Sequence, residues 1–251
     1  MPIALSVPHA GLVVPDFLTD NYLLSSEQTV ADGDVGSFEI YSLQDEVAHF
    51  TRADLARAVL DMNRSATDTE RPDGVVKTLS CWQEPVWRRP LTQAERAGLI
   101  QDFHKPYHRT LRSFAGKAKL SIDCHTMSDV GPPIGPDPGR RRPLICLSDG
   151  DGTTCPASWV AAMQECLARY FSGDVHINEP FHGGYITRSH GSEMPWLQLE
   201  LSRTDELSIA EKREGVRRAL HDWCHLNLED SHAGTPVAKQ LVHPRPGDER
   251  P

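Results

Sequence analysis

Three short runs of apolar or alternating residues in this sequence each lead into a side chain that can bind a metal ion or accept a proton. The runs and the side chains that follow them are residues 3–7 with His9, residues 120–124 with His125, and residues 196–199 with Glu200. Runs of this kind predict strands that are buried on one or both faces. Because ligands of open α/β sheets bind at the carboxyl ends of the strands, we expect His9, His125 and Glu200 to meet at one edge of a sheet.

The alternation of strand and helix patterns determines the predicted fold. Strands are expected at about residues 3–8, 57–62, 119–124, 143–147, 174–177 and 196–202. Helices are expected at about residues 34–50, 92–111, 157–171 and 208–228, where apolar residues recur at helical spacing. Alternating strands and helices are typical of a three-layer α/β sandwich with a mixed, mostly parallel central sheet.

Length and composition indicate one domain. The 251 residues, of which 39% are hydrophobic, suit a single α/β domain, which we expect to span residues 1–230. The Pro-rich, charged residues 231–251 predict a disordered tail. No charged leader with an apolar core and no long apolar stretch is visible in the sequence. We therefore expect a cytoplasmic protein with no membrane partner, and we make no prediction of its oligomeric state.

Charge and cysteine content exclude several classes of protein. The net charge of −9 argues against nucleic acid as a partner, because phosphate binding needs a basic surface. One basic run, Arg140 to Arg142, follows a Pro/Gly-rich segment, and it is either a solvated loop or a mobile flap that lends an arginine to an anionic substrate. Six cysteines without a CxxC pair predict reduced thiols. Alternation turns Cys124 away from Asp123 and His125, so we expect it in the core.

Strand-end histidines, each with a carboxylate near enough to orient the ring, are a common way to build a catalytic metal site. A hydrolytic zinc site needs about three N or O ligands and one position for water. His9 and His125 supply two ligands, and the acidic turn at residues 31–37 offers Asp32 and Asp34 as candidates for the third. A single strand-end histidine is more often structural, so the metal interpretation depends on the histidines occurring together.

Six motifs, taken in order, resemble the N-formylglutamate amidohydrolase family. The motifs are Ser-Val-Pro-His-Ala-Gly at 6–11, Asp-Met-Asn-Arg at 61–64, Pro-Tyr-His at 106–108, Asp-Cys-His-Thr-Met at 123–127, Gly-Gly-Tyr-Ile-Thr-Arg at 183–188 and Leu-Gln-Leu-Glu at 197–200. The resemblance covers about residues 1 to 203. It implies a fold similar to those of zinc carboxypeptidases and phosphorylase/hydrolase-like proteins.

The resemblance also implies an activity and a set of site residues. The expected reaction is zinc-dependent hydrolysis of N-formyl-L-glutamate to formate and L-glutamate, a step of histidine degradation. One Zn²⁺ per chain would be held by His9, Asp34 and His125, because the second acidic residue of the family motif aligns with Asp34. Glu200, which ends the Leu-Gln-Leu-Glu motif, is the expected general base.

A small anionic substrate would be held by arginines, because a guanidinium matches a carboxylate with two parallel hydrogen bonds. Arg64 and Arg188, at the ends of two of the motifs, are the main candidates. Asn63 is expected to add an amide contact and His108 a substrate contact. Arg203, close in sequence to the proposed base, is a third candidate for the substrate or for the developing oxyanion.

Two other functions stay open. A zinc carboxypeptidase or amidase acting on a peptide-like substrate would use the same site, and a ligand-binding relative would need no catalysis. The presence of His9, His125 and Glu200 together argues against the binding protein, which needs no base. The absence of an aromatic residue after Asp34 differs from the family pattern, as do Cys81–Trp82 and the arginine run at 140–142. These differences leave the acyl group and the amino-acid preference open.

Overall fold

The computed structural model describes residues 1–172 and 174–229. Its strands are β1 (Ile3–Val7), β2 (His49–Arg52), β3 (Leu120–Met127), β4 (Ile145–Ser148), β5 (Val175–Ile177) and β6 (Trp196–Ser202). They form one six-stranded sheet in the order β2-β1-β3-β6-β4-β5. Neighbouring strands are parallel except β4 and β6, which are antiparallel. The predicted α/β fold with a mixed, mostly parallel sheet is confirmed.

Helices lie on both faces of this sheet. They are α1 (Ser26–Asp32), α2 (Ser37–Tyr41), α3 (Gln93–Leu99), α4 (Lys105–Arg112), α5 (Ala157–Ala168), α6 (Tyr185–His190) and α7 (Ile209–Cys224). A 3-10 helix covers Asp16–Asn21, and π-helical turns cover Ile100–His104 and His225–Glu229. The turn between α3 and α4 ends two residues before Pro106, which lacks an N–H and crowds the carbonyl four residues before it, inside the turn. We attribute the widened turn to this proline.

Side chains alternate across the central strands and so divide the molecule into two cores. In β3, Ile122 and Cys124 enter the core formed with α2, α5 and α7. Asp123 and His125 therefore lie on the opposite face, as does Glu200 of β6, whose neighbour Leu199 enters the first core. Cys124 is buried in the core, as its alternation predicted. The second core lies under the polar face and packs α3, α4 and residues from the segment 53–91.

Two predicted elements are wrong in position. Residues 57–62 form no strand; their apolar side chains Val59 and Leu60 are buried in the second core as part of an irregular segment. An edge strand, β2, instead overlaps the last two residues of the helix predicted at 34–50, because that helix ends at Tyr41. A run of apolar residues predicts that a segment is buried. When the run is short, it does not show whether the segment is a strand or an irregular loop.

The remaining helix predictions match the structure in outline. The helices expected at 92–111, 157–171 and 208–228 correspond to the α3–α4 segment, α5 and α7. The tail expected at 231–251 lies outside the described residues. Within the described ranges, no helix combines the length and the hydropathy needed to cross a membrane.

Two helical glycines should respond in opposite ways to replacement by alanine. A Cβ at Gly215 of α7 would lie 2.6 Å from the ring of the buried Phe171, so Gly215→Ala should displace the ring and cost about 1–3 kcal/mol. A Cβ at Gly98 of α3 meets nothing within 4 Å, so Gly98→Ala should stabilise the protein by about 0.5–1 kcal/mol. Urea unfolding of both variants measures the difference. Equal stability changes would contradict the close α7 packing.

Candidate active site

His9 lies just beyond β1 in a buried position. Its Nε2 donates to Oδ1 of Asp61 over 2.8 Å, and the two side chains are 4% and 0% exposed. Asp61 also accepts from the Asn63 N–H at 2.8 Å and from the Arg57 guanidinium at 3.2 Å. Burial raises the pKa of Asp61, but the neighbouring His9, Arg64 and Arg57 outweigh burial and hold the pKa well below its usual range. The ionised carboxylate therefore fixes the ring, and Nδ1 of His9 faces the site.

His125 repeats this arrangement on β3. Its Nε2 donates to Oδ2 of Asp123 over 2.8 Å, and both side chains are buried. Asp123 in turn accepts from the Ser6 hydroxyl at 3.1 Å and from the Asn63 amide at 3.3 Å. A carboxylate behind the outer nitrogen of an imidazole orients the ring and strengthens it as a metal ligand. Both histidines thus direct Nδ1 to the same point.

Asp34 is the third residue at this point. Its Oδ2 lies 3.4 Å from Nδ1 of His9 and 2.9 Å from Nδ1 of His125, and the two Nδ1 atoms are 3.2 Å apart. Ligand atoms that each bind one tetrahedral zinc ion at about 2.0–2.1 Å lie about 3.3–3.4 Å from one another. The three residues, which form a cluster able to hold a metal ion, have nearly this spacing. Two imidazoles and a carboxylate also match the ligand types of catalytic zinc sites.

The charges at this point favour a cation. Burial lowers the pKa of His125, but the neighbouring carboxylates, chiefly Asp123 and Glu200, outweigh it and raise the pKa well above its ordinary value. Burial likewise disfavours ionised Asp34, but the two histidines hold its pKa well below the usual range. Nδ1 of His125 and Oδ2 of Asp34 lie 2.9 Å apart, a hydrogen bond that needs a proton between the two atoms when no metal is bound. A metal ion must displace that proton, so the two compete for one place.

Asp32, the alternative third ligand, faces away from the histidines. Its carboxylate oxygens accept from the Lys77 ammonium at 2.7 and 2.8 Å and from the Cys81 N–H at 2.7 Å. The Asp32–Lys77 pair is almost completely buried, so both charges depend on each other for compensation. Of the two sequence candidates, Asp34 is the one that lies with His9 and His125.

Glu200 lies beside this cluster on β6. It stands directly opposite His125 in the parallel pairing of β3 and β6, and it is buried. Its Oε1 accepts from the Gln198 amide at 2.8 Å. Burial raises the pKa of Glu200, and the nearby Asp34 adds to this effect while His125 opposes it. A buried carboxylate with a raised pKa beside a cation site is suited to accept a proton and to release it again.

A cavity of about 260 Å³ opens over these residues. Its walls carry five cationic side chains, namely Arg57, Arg64, Lys77, Arg142 and Arg203. Arg64 donates to the carbonyl and the carboxylate of Asp73 at 3.0 and 3.3 Å. Arg203 donates to the carbonyls of Gly33 and Thr126 and lies 3.5 Å from Oδ1 of Asp34. The cavity therefore brings guanidinium groups to the candidate metal centre.

Two predicted substrate residues lie outside this cavity lining. Arg188 of α6 is 44% exposed and binds Asp151 at 2.8 Å. It faces an adjoining outer groove of about 610 Å³, which shares Arg64 with the inner cavity. His108 is buried on α4 and donates from Nε2 to the Met62 carbonyl at 2.9 Å. Direct substrate contacts of Arg188 and His108 stay predictions.

Asn63 lines the cavity, but its side-chain amide is largely engaged by the protein. Its Oδ1 accepts from the Ile186 N–H at 2.8 Å, and its Nδ2 lies 3.3 Å from Oδ2 of Asp123 and 3.3 Å from Nε2 of His125. A Cβ at Gly184 would lie 2.2 Å from Nδ2 of Asn63. The close approach of the Gly184 backbone therefore confines the amide against the two site residues.

The loop at 128–142 covers the cavity. Within the basic run, Arg142 is the residue that lines the cavity, and Arg140 and Arg141 are exposed. Both carboxylate oxygens of Asp137 accept from Arg142, at 2.6 and 2.8 Å, and Arg142 lies 4.9 Å over the ring of Phe181. The N–H of residue 134 donates to the carbonyl of residue 81 at 3.1 Å, which ties the loop to the opposite wall.

Three contributors to this site were not assigned from the sequence. Asp61 follows the apolar residues 58–60, as Asp123 follows Ile122, so a comparable signal was present. Gln198 alternates with Glu200 onto one face of β6, which could have indicated its contact. Arg57 lies in an irregular segment, and nothing in the local sequence distinguishes it from a surface arginine.

Two imidazoles, a carboxylate and a buried glutamate at the carboxyl edge of a mostly parallel sheet form an arrangement typical of metal-dependent hydrolases. A sequence profile described as N-formylglutamate amidohydrolase matches residues 1–205. The chain belongs to the N-formylglutamate amidohydrolase family. It is 25% identical over 229 residues to an N-formylglutamate deformylase of Pseudomonas putida, and the match covers 84% of each chain.

Solved structures support the fold. The crystal structure of an N-formylglutamate amidohydrolase from Ralstonia eutropha superposes with a TM-score of 0.70 at 21% identity, covering 93% of each chain. A gene product of Agrobacterium tumefaciens superposes with a TM-score of 0.66 at 20% identity, covering 88% of this chain and 89% of that one.

Replacing the two acidic residues of the 31–37 turn should separate metal binding from folding. Asp34→Ala removes an anionic ligand candidate, so we expect the zinc content of the purified protein to fall far below about one ion per chain. Asp32→Ala leaves the buried Lys77 charge uncompensated, which should cost about 3–5 kcal/mol of stability. Elemental analysis and urea unfolding measure the two effects. Full zinc content in the Asp34→Ala protein would refute the assignment of this ligand.

Proposed function

We propose that this protein is a zinc-dependent amidohydrolase that cleaves the amide bond of a small N-acyl amino acid, and that its substrate is N-formyl-L-glutamate, which it hydrolyses to formate and L-glutamate. The observation that carries the proposal is the convergence of His9, Asp34 and His125 beside the buried Glu200. Membership of the N-formylglutamate amidohydrolase family and the similarity to the Pseudomonas putida deformylase support the substrate.

His9, Asp34 and His125 would hold the zinc ion, with Asp61 and Asp123 fixing the two rings from behind. A bound Zn²⁺ supplies a Lewis acid that polarises the amide carbonyl and makes a water molecule more acidic. The protein contributes the orientation of the ligands, the restricted cavity and the group that moves the proton. These contributions come from residues already ordered around the site, so little reorganisation is needed when substrate binds.

Glu200 is the proposed general base. It takes the proton from the attacking water and delivers it to the leaving nitrogen, so that formate and a free amine are formed. Its burial raises its pKa, which favours uptake of the proton. The hydrogen bond from Gln198 holds one carboxylate oxygen, so the other can face the reacting atoms. Arg203, beside Asp34, is placed to stabilise negative charge on the carbonyl oxygen.

The α-carboxylate of the substrate is assigned to Arg64. This arginine lines both the inner cavity and the outer groove, and its side chain is about a quarter exposed, so it remains accessible to a ligand. Arg188 faces the outer groove alone and is already paired with Asp151. It therefore meets only those parts of a substrate that extend beyond the inner cavity.

A longer, peptide-like substrate is the second candidate. The outer groove of about 610 Å³ shares Asn63, Arg64 and Asp73 with the catalytic cavity, so a chain could continue from one into the other. Formate release from N-formyl-glutamate, neutral N-formyl amino acids and N-formyl dipeptides distinguishes the two substrates. A preference for the dipeptides would favour the peptide-like substrate, and release from none of them would favour a ligand-binding protein.

Loss of the base should stop turnover without loss of metal. Glu200→Gln keeps the shape of the side chain but cannot accept a proton, so kcat should fall by on the order of 10²–10⁴. Zinc content should remain that of the wild type. Glu165→Gln, the same substitution at an exposed position of α5, serves as the control and should leave kcat unchanged. Near-normal turnover of Glu200→Gln would mean that another group takes the proton.

The two arginines should differ in their effect on the smallest substrates. Loss of a charged hydrogen bond at Arg64 should lower kcat/KM for N-formyl-glutamate by about ten- to a hundred-fold in Arg64→Met. A neutral N-formyl amino acid should lose as much, because it carries the same α-carboxylate. Arg188→Met should have a smaller effect on both substrates. A large loss in Arg188→Met for N-formyl-glutamate alone would instead assign Arg188 to the side-chain carboxylate.

A further inference from the structure

Two buried histidines donate to main-chain carbonyls on either side of Asn63. His108 Nε2 donates to the Met62 carbonyl at 2.9 Å, and His104 Nε2 donates to the Arg64 carbonyl at 2.8 Å. The two rings are four residues apart on one helical segment, with centroids 4.3 Å apart. They are 9% and 2% exposed, and neither lines the catalytic cavity. The helical segment is therefore hydrogen-bonded to the backbone of residues 62–64 at two points.

The hydrogen bonds around His108 determine which of its nitrogens carries the proton. Its Nε2 must donate to the Met62 carbonyl, so its Nδ1 accepts, and the donor is Nε2 of His190 at 2.9 Å. Nδ1 of His190 donates in turn to Glu193 at 2.8 Å, and the other oxygen of Glu193 accepts from Arg112 at 2.9 Å. His190 therefore carries two protons, and His108 is held as the neutral Nε2–H tautomer.

Burial agrees with this assignment. It lowers the pKa of His108 to about 3, with nearby His104 adding to the effect, and it lowers the pKa of His104 as well. Both rings are therefore neutral near pH 7, with one N–H each available for the carbonyls. The geometry leads to the same result independently, because a carbonyl cannot accept from an unprotonated nitrogen.

Residues 62–64 contact the carboxylates that orient both candidate zinc-binding histidines. Asn63 donates from Nδ2 to Oδ2 of Asp123 at 3.3 Å and from its main-chain N–H to the Asp61 carboxylate at 2.8 Å. The Asp123 oxygen accepts from Nε2 of His125 at 2.8 Å. The Asp61 carboxylate accepts from Nε2 of His9 at 2.8 Å. A shift of the backbone at residues 62–64 would consequently move the partners of both rings together.

We propose that His108 and His104 are positioning residues for the metal centre, which hold Asp61 against the outer nitrogen of His9 and the Asn63 amide against Asp123, the hydrogen-bond partner of His125. This inference rests on the proposed metal site. It assigns the histidine of the Pro-Tyr-His motif to the backbone beneath the site rather than to the substrate. Loss of the hydrogen-bond partner of a metal-bound histidine lowers metal affinity by about 10–100-fold. A residue that only supports that partner, as His108 does, should have an effect near the lower figure.

The test compares two replacements of His108 that differ in one hydrogen bond. His108→Phe removes the donor to Met62, whereas His108→Gln retains a side-chain N–H. Zinc affinity, measured by competition with a chromogenic chelator, should fall by about tenfold in His108→Phe and largely recover in His108→Gln. Gln164→Leu is the control, because Gln164 also donates to a main-chain carbonyl, that of Val175 at 2.7 Å on the edge strand, away from the site. It should lower thermal stability and leave zinc affinity unchanged.

Wild-type zinc affinity in a folded His108→Phe protein, with a loss of stability like that of Gln164→Leu, would overturn the proposal. If the His108→Phe protein does not fold, the same measurement is made on the His190→Phe protein. That variant keeps the His108 ring but removes the donor that fixes its tautomer, and it should also weaken zinc binding. Unchanged zinc affinity there would overturn the proposal equally.

Nitrogen NMR of the histidine rings in metal-free protein separates this proposal from the proposed function. It should show both nitrogens of His190 protonated and Nδ1 of His108 unprotonated. The ring signals of His125 should shift in His108→Phe and return toward wild-type positions in His108→Gln. Unmoved His125 signals would refute the positioning role, whereas absence of zinc binding in the wild type would refute the metal centre alone.

Discussion

The site depends on two buried hydrogen bonds, from His9 to Asp61 and from His125 to Asp123. Each bond uses the outer nitrogen of an imidazole and leaves the inner nitrogen facing its counterpart. Burying two carboxylates is unfavourable unless each is bonded on several sides, and Arg57, Ser6 and the Asn63 amide provide those bonds. The polar face of the sheet is thus organised around two buried carboxylates that are hydrogen-bonded on several sides.

Two of these three residues, Arg57 and Asn63, lie outside the sheet. The irregular segment at 53–91 contributes Arg57, Asn63 and Arg64 to the cavity lining, while the strands contribute His125 and Glu200. The segment has few backbone ladders of its own. The segment is held instead by buried charge pairs such as Lys77–Asp32 and by hydrogen bonds from α4 to its main-chain carbonyls. Rigidity at the site therefore comes from side chains bonded to backbone as much as from the sheet.

The sequence predicted the part of the site that strand patterns determine. His9, His125 and Glu200 stand at the carboxyl ends of regular strands, so their convergence followed from the topology of such sheets. The choice of Asp34 over Asp32 did not follow from the local sequence, because it depends on Lys77, 45 residues away, taking the other carboxylate. The strand predicted at 57–62 is wrong for a related reason, since its apolar residues are buried by tertiary packing without strand pairing.

The reversed direction of β4 determines what kind of segment can cover the site. β3 ends at Met127 opposite Ser202, and β4 begins at Ile145 opposite Leu201, so the connection starts and finishes at the same edge of the sheet. A parallel β4 would need a crossover to the far edge, usually a helix packed on the sheet. The connection between β3 and β4 does not have to cross the sheet or pack on it. Its length and composition can change during evolution without disturbing the core, so new substrate preferences can arise by exchange of this loop over an unaltered reaction centre.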